Sequence, residues 1–437
     1  MTSTPHFLIS GAGIAGPALA VLLNRNGFKT TIVERSSSIR IEGQQIDLVG
    51  PGIQAARFMG VEQAIRKRTV HDDGMRVVDA NDTDIGRFPV SGNVNSPVRE
   101  IEILRGDMAD VFYQASKDET EYIFGDSITG LTEKDDRVTV KLTSGAERDF
   151  NLVVGADGLG SRTRELAFGK PKEGYVRSLK GYIGTFMIPW APQDETWSRF
   201  HLAAGRNVLI RPDKARKQSG VYLCRINDNE TDEIVGLPQA EQKALLKKSF
   251  SGMGWEVPRI LDHIDASETF YLLRTAQVKM DSWSTDKGRV VVLGDAGYAP
   301  SGVTGLGTTA ALVGAYMLAG CLTTHRGDIK AALAAYERDM RPFVNKAQVL
   351  LPGVPDVANP QTEAGTTALR LAVKTASFAL STGVMTAATW LFTPLQFIGN
   401  KLGIVKAVFG GSAGEEKLRV YEKMRGIEES VDGKVVR

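Results

Sequence analysis

Short apolar runs separated by glycine-rich breaks open the chain, and their spacing predicts a strand, a helix and a second strand. His6 to Ser10 reads as a short buried strand, Pro17 to Gly27 as a helix and Lys29 to Glu34 as the next strand. Such a β-α-β unit makes its two strands parallel. Val138 to Leu142 and Asn151 to Val154 follow as later strands, and Arg289 to Leu293 (RVVVL) has the β-branched content of a fully buried one. Thr308 to Leu322 predicts a long apolar helix, and Ile329 to Met340 a charged amphipathic one. In the middle, Gly181 to Ile188, Val208 to Arg211 and Gly220 to Ile226 read as strands of a different, mixed sheet. Pro352, Pro355 and Pro360 mark a linker, beyond which the chain is helical and apolar before a charged tail.

The pattern places the chain in the α/β class. A Rossmann-type domain is expected over 1–75, 99–180 and 275–345, with a sheet domain for substrate inserted at 76–98 and 181–274. A linker and C-terminal helical segment occupy 346–437. A chain of 437 residues has room for these units. Its net charge of +2 gives no pull toward nucleic acid or an anionic membrane. Cys224 and Cys321 lie far apart, which suits a reducing, cytoplasmic compartment. A monomer is expected.

Two stretches imitate targeting or membrane segments. Phe7 to Leu23 lacks a basic leader and is broken by glycines, so it reads as strand, turn and helix. Thr375 to Asn400 carries no charge and is long enough to span a bilayer. Its Pro394, two glycines and many hydroxyl residues favour a docked helix; contact with a membrane surface is the secondary reading.

Three glycine motifs carry the chemistry. Gly11-Ala12-Gly13-Ile14-Ala15-Gly16 follows a strand and opens a helix, with Glu34 at the end of the next strand. This is the context in which glycines admit a pyrophosphate to a helix N-terminus and the acid binds ribose hydroxyls. Gly155-Ala156-Asp157-Gly158 comes next, followed by Ser161 and Arg164. Gly294-Asp295-Ala296-Gly297 is third, followed by Gly305-Leu306-Gly307-Thr308 at the start of a helix. Either of the last two alone could be a turn capped by Asp.

In this order, with Arg105 in Leu104-Arg105-Gly106-Asp107-Met108, the motifs resemble the FAD-dependent aromatic hydroxylases, or group A flavoprotein monooxygenases. Gly294 to Ser301, Gly305 to Tyr316 and Gly43-Gln44-Gln45-Ile46-Asp47-Leu48 are similar to the tetracycline-inactivating and secondary-metabolite branch. Val303 departs from it, since many relatives carry proline there. The resemblance implies FAD as cofactor and NADPH or NADH as reductant. It assigns the pyrophosphate to Gly11, Gly13, Ala15 and Gly16, and the adenosine ribose to Glu34 and Arg35. Arg105 and Gln44 would lie along the cofactor. Asp157 would serve both FAD and the nicotinamide coenzyme, Asp295 the ribityl chain, and Gly305, Leu306, Gly307 and Thr308 the flavin carbonyl edge. Asp47 would lie near flavin and substrate. It further implies that oxygen adds at the flavin C4a and that the hydroperoxide hydroxylates or epoxidises a small aromatic, polyketide or alkaloid-type substrate.

Arg206, Tyr222 and Tyr182 are candidates on the middle sheet for the substrate or flavin side, and Trp190, Phe186 and Phe200 for an apolar pocket wall. A second Rossmann motif, a Cys-x-x-Cys pair and a metal-spaced cluster are all missing from the sequence, so no metal is expected. An FAD-dependent reductase of isoprenoid-type double bonds and a non-catalytic flavin-binding protein remain the alternatives.

Overall fold

Five apolar runs from distant parts of the chain form one parallel sheet: His6–Ser10 (β1), Lys29–Glu34 (β2), Thr120–Phe124 (β7), Leu152–Gly155 (β11) and Val290–Val292 (β17). Their order is β17-β11-β1-β2-β7, and every neighbouring pair is parallel. The computed structural model describes residues 4–41, 43–70, 72–90, 101–170, 174–226, 231–350, 359–381, 418–424, 429–431 and 434–436. Side chains alternate between the two faces of these strands. Phe7, Ile9, Ile32, Leu152 and Val154 join the core shared with helices α1 (Ala15–Arg25), α4 (Arg105–Ser116) and α10 (Gly307–Thr324). Leu8, Val33, Val153 and Val290 instead meet an antiparallel meander of β8 (Ile128–Glu133), β9 (Val138–Leu142) and β10 (Glu147–Phe150). Both faces are covered, which explains why β1 and β17 read as unbroken apolar runs.

Helix α10 is long and apolar enough to cross a membrane, but 78% of it is buried inside the protein. A helix that is hydrophobic all round belongs in a core. The amphipathic helix that follows, α11 (Ile329–Ala347), runs past Met340 and carries Pro342 in its interior. The C-terminal residues Leu418, Tyr421 and Met424 pack into the same core.

A second sheet stands beside the first. Its order is β16 (Tyr271–Val278), β12 (Val176–Pro189), β15 (Gln218–Ile226), β14 (Arg206–Asp213), β13 (Trp197–Ala203), β4 (Gly74–Val78) and β5 (Asp84–Pro89). Only the β13–β4 pair is parallel. One face carries Tyr182, Phe186, Val208, Ile210, Val221 and Leu223 against a layer that includes α6 (Thr231–Gly236), α7 (Gln239–Phe250) and α8 (Val257–Ile264). The other face meets a two-stranded antiparallel ribbon, β3 (Gln45–Leu48) with β6 (Ile101–Leu104). This ribbon is the seam between the two sheets, and α2 (Gly50–Phe58) and α3 (Glu62–Arg66) lead from it toward β4.

Helix α12 (Glu363–Ser381) lies along β5 and β13. Leu369 and Val373 pack on Val77, Phe88 and Leu202, and Ser377 Oγ accepts the Arg87 backbone N–H at 2.9 Å. Thr375 to Ser381 closes this helix. The rest of the apolar stretch to Asn400 lies outside the described residues, as does the proline-rich linker apart from Asn359 and Pro360.

Candidate functional site

Strand β1 ends at Ser10 and α1 begins at Ala15, so the first glycine motif forms the turn between them. Gly11 sits at φ 108°, where a β carbon would also lie 2.6 Å from the Ala156 carbonyl oxygen. A β carbon on Gly16 would lie 2.1 Å from the Gly11 oxygen. Neither position admits another residue without moving backbone. Among the described residues no side chain caps α1, and no acid sits in its first turn. Its end is therefore a free anion-binding terminus.

Arg105 lies over that turn. Its Nη2 is 3.3 Å from where a β carbon on Gly13 would stand, and its stem lies against Gly43. Its backbone N–H donates to the Gln44 carbonyl at 2.9 Å. Nη1 is buried and makes no hydrogen bond among the described residues. Burial, followed by neighbouring Arg40, pulls the guanidinium below its usual range, while Tyr271, Asp295 and Glu34 act in the opposite direction. A buried cation with an unused donor is costly unless an anion joins it. The bare α1 terminus, the glycine turn and this orphaned donor together fit the pyrophosphate of a dinucleotide.

The other predicted cofactor residues take distinct places. Glu34 accepts the Ala12 N–H at 2.8 Å through Oε2 and the Ser36 N–H at 2.9 Å through Oε1. Arg35 is exposed, and Ala15 is buried against Gly294. Asp157 is occupied locally: it accepts the Thr163 N–H and hydroxyl, both at 2.9 Å, and the Ser161 hydroxyl, at the start of α5 (Arg162–Phe168). Arg164 ties this turn to the third motif, donating to the Leu159 and Ala296 carbonyls at 2.8 Å each. Asp295 opens the short helix α9 (Asp295–Tyr298). Its carboxyl is open to solvent yet set deep in the cleft, where surrounding protein raises it above the ordinary range and Arg105 pulls it back.

The loop Gly305 to Gly307 lies between two carboxylates. A β carbon on Gly307 would be 3.8 Å from Asp295 Oδ1, and one on Gly305 would be 4.0 Å from Asp47 Oδ2. Among the described residues no side chain caps the α10 N-terminus that follows. The third motif and the ribbon thus converge on one cleft, with Arg105 at one end and Asp47 at the other.

Among the sheet candidates, the alternation of strand side chains separates two groups. Tyr222 faces the ribbon, its hydroxyl accepting the Gln45 backbone N–H at 2.8 Å. Arg206 lies on the helix-covered face and donates to the Ser249 carbonyl at 2.7 Å. Tyr182 and Phe186 are buried on that same face. Trp190 donates to the Glu195 carbonyl at 3.1 Å, and Phe200 packs in the cluster beneath α12. The structure brings together Asp47 and Tyr222 but not these others.

Residues absent from the sequence reading complete the Asp47 end. Arg211 pairs with Glu102 and reaches Asp47 Oδ1 at 3.3 Å. Burial lifts the Glu102 carboxyl to about 8, with Asp47 and Asp72 adding to the rise and Arg211 opposing it. Burial likewise raises the Tyr222 phenol. The signals were present but slight: one acid between isoleucines in Ile101-Glu102-Ile103, and one arginine ending the run Val208-Leu209-Ile210. A separate cavity of about 880 Å³ opens between β16 and α11, lined by Tyr175, Lys279, Trp283, Arg341 and Gln348 among others. None of the predicted cofactor residues lines it.

Comparison with known proteins accords with this geometry. Residues 6–349 match the family described as FAD binding domain. The FAD-dependent monooxygenase asL6 of Sarocladium schorii is 35% identical over 367 residues, covering 79% of this chain and 86% of that protein. The flavin-dependent monooxygenase eupH of a Phoma species is 36% identical, covering 77% and 84%. The crystal structure of the tetracycline destructase Tet(51) superposes with a TM-score of 0.70 at 30% identity, covering 86% of this chain and 98% of that one. With a glycine turn and a buried arginine that fit a dinucleotide, and relatives alike over most of their length, the chain belongs to the FAD-binding family of flavoprotein monooxygenases.

Proposed function

We propose that this enzyme uses NADPH or NADH and O2 to hydroxylate or epoxidise a small, electron-rich substrate. The favoured class is a phenol or enol of the aromatic, polyketide or alkaloid type. The observation that carries this reading is the cleft along which the Arg105 donor, without a partner among the described residues, Asp295, the Gly305 loop and the Asp47–Arg211–Tyr222 group line up. FAD, when bound, supplies the redox chemistry by accepting reducing equivalents from the nicotinamide and activating oxygen.

The chain's own residues bind, orient and exclude water. Arg105 and the α1 terminus hold the phosphates, Glu34 the ribose, and Asp295 the polar chain between. The bare α10 terminus offers amides to the carbonyl edge of the ring. Asp47, Arg211 and Tyr222 form the polar wall for the substrate, with Tyr222 anchored by the ribbon. The helix-face residues Arg206 and Tyr182 are left to structural roles. The division into a cofactor module and a substrate sheet puts chemistry at their seam. The likeness to a tetracycline destructase, at 30% identity, supports a multi-ring, enol-bearing substrate.

The test is coenzyme oxidation by the purified enzyme over a panel of phenols and enols, with oxygen uptake followed in parallel. Substrate-stimulated oxidation matched by oxygen consumption is expected. Stimulated oxidation without oxygen uptake would overturn the proposal in favour of a reductase.

A further inference from the structure

The ribbon places two carboxylates directly opposite each other: Asp47 on β3 is the register partner of Glu102 on β6. Like charges in that position repel. Arg211, reaching in from β14, contacts both, but it brings one positive charge to two acids. Further groups facing this cluster do not repair the balance. Asp72, before β4, is another acid, half-buried, held by the Ser198 N–H and hydroxyl and by the Gly74 N–H at 3.1 Å. Tyr222, on β15, is neutral in the ordinary pH range. The side-chain amide of Gln45 is 4% exposed and makes no hydrogen bond among the described residues, nor does Arg211 Nε. That amide lies over Gly220, the β15 register partner of Arg211.

The acids are not equivalent. The Glu102 side chain is 1% exposed and faces only protein, whereas Asp47 is 22% exposed and turns its second oxygen toward the Gly305 loop. A proton that neutralises one of them belongs on the more buried acid, because burial penalises the ionised form most there.

We propose that Glu102 is a positioning residue that holds one proton beneath the cleft, so that Arg211 and Asp47 face the Gly305 loop as a neutral pair. When that proton leaves, the wall of the cleft gains a net negative charge. The site then selects for substrates that enter as the neutral enol or phenol, and it repels the corresponding anion. The rise of the Glu102 carboxyl above its ordinary range, driven by burial and by Asp47 and Asp72 against the pull of Arg211, agrees with this placement. The functional consequence rests on the reading of this cleft as the flavin and substrate site; the proton itself does not.

The direct test is an infrared titration of the FAD-loaded full chain from neutral to alkaline pH. A protonated-carboxyl C=O band should disappear with a midpoint at about 8, and Glu102→Gln should lack it. In the wild type, apparent affinity for an acidic phenol should fall by up to about tenfold per pH unit above that midpoint. Glu102→Gln should lose that part of the profile. Asp47→Asn gives a second reading, moving the Glu102 midpoint down toward the ordinary carboxyl range. A yellow wild-type protein with no carboxyl titrating near that midpoint would overturn the inference. So would a band that persists unchanged in Glu102→Gln. A folded protein that binds no FAD would instead overturn the reading of the cleft.

Discussion

Replacing Arg105 by Met separates a cofactor ligand from a structural residue. Methionine keeps an unbranched stem of similar reach against Gly43 and removes only the charged head. That head has a buried donor with no partner among the described residues, so its loss costs the apoprotein little. With FAD bound, the variant loses a hydrogen bond between charged groups, worth about 1.5–3 kcal/mol. At about 1.4 kcal/mol per tenfold change, FAD should bind roughly 10- to 150-fold more weakly. The assay is titration of apoprotein by quenching of flavin fluorescence, paired with thermal unfolding with and without FAD. The expected result is a large loss of affinity with apoprotein stability unchanged or raised. Unchanged FAD affinity would refute the assignment. An apoprotein destabilised as much as the holoprotein would show that Arg105 serves the fold.

Three further outcomes follow from the same geometry. Asp295→Ala should weaken FAD binding by a comparable amount, about 1.5–3 kcal/mol, while circular dichroism shows the fold intact; unchanged affinity would make Asp295 a turn residue. Arg206→Ala should lower stability by about 1 kcal/mol through the lost bond to Ser249, measured by urea unfolding, and leave substrate KM unchanged. Glu102 should also leave a mark on stability against pH. Its carboxyl is raised in the fold, so the native state holds a proton that the unfolded chain has released; stability falls as pH rises from about 4.5 to about 8 and levels above. Thermal unfolding across that window should show the decline in the wild type and a flatter profile in Glu102→Gln.

The strand–turn–helix geometry of the proposed cofactor half was legible because its signals are local. A strand, three glycines and an acid at the next strand end lie within one β-α-β unit, and steric demand at Gly11 and Gly16 leaves no alternative residue. The family order of motifs extended this to Arg105 and Asp295. The substrate half was only partly legible. Its wall is built on β3 and β6, strands of four residues each whose pairing joins Asp47 to Glu102 across more than fifty positions. Strands that short carry little periodic signal, and nothing local announces their partner. Face assignment was the other gap. Arg206 and Arg211 lie on one strand, but an odd separation sends them to opposite faces, the first to α7 and the second to the cleft. The sequence alone points to Arg206; which of the two arginines faces the cleft depends on strand register, which becomes visible only when β14 is paired with β15. Asp157 shows a different limit. Its motif is recognisable, but in the fold its carboxylate is engaged by Ser161 and Thr163.

Oxygen insertion in the cleft is tested most directly with isotopically labelled O2. The phenol or enol that most stimulates coenzyme oxidation is turned over under the labelled gas, and the product is weighed by mass spectrometry. One labelled oxygen atom is expected in the product, drawn from the gas and formed in step with NADPH or NADH consumed. A product that carries no label, whether reduced at a double bond or oxygenated from water, would contradict it.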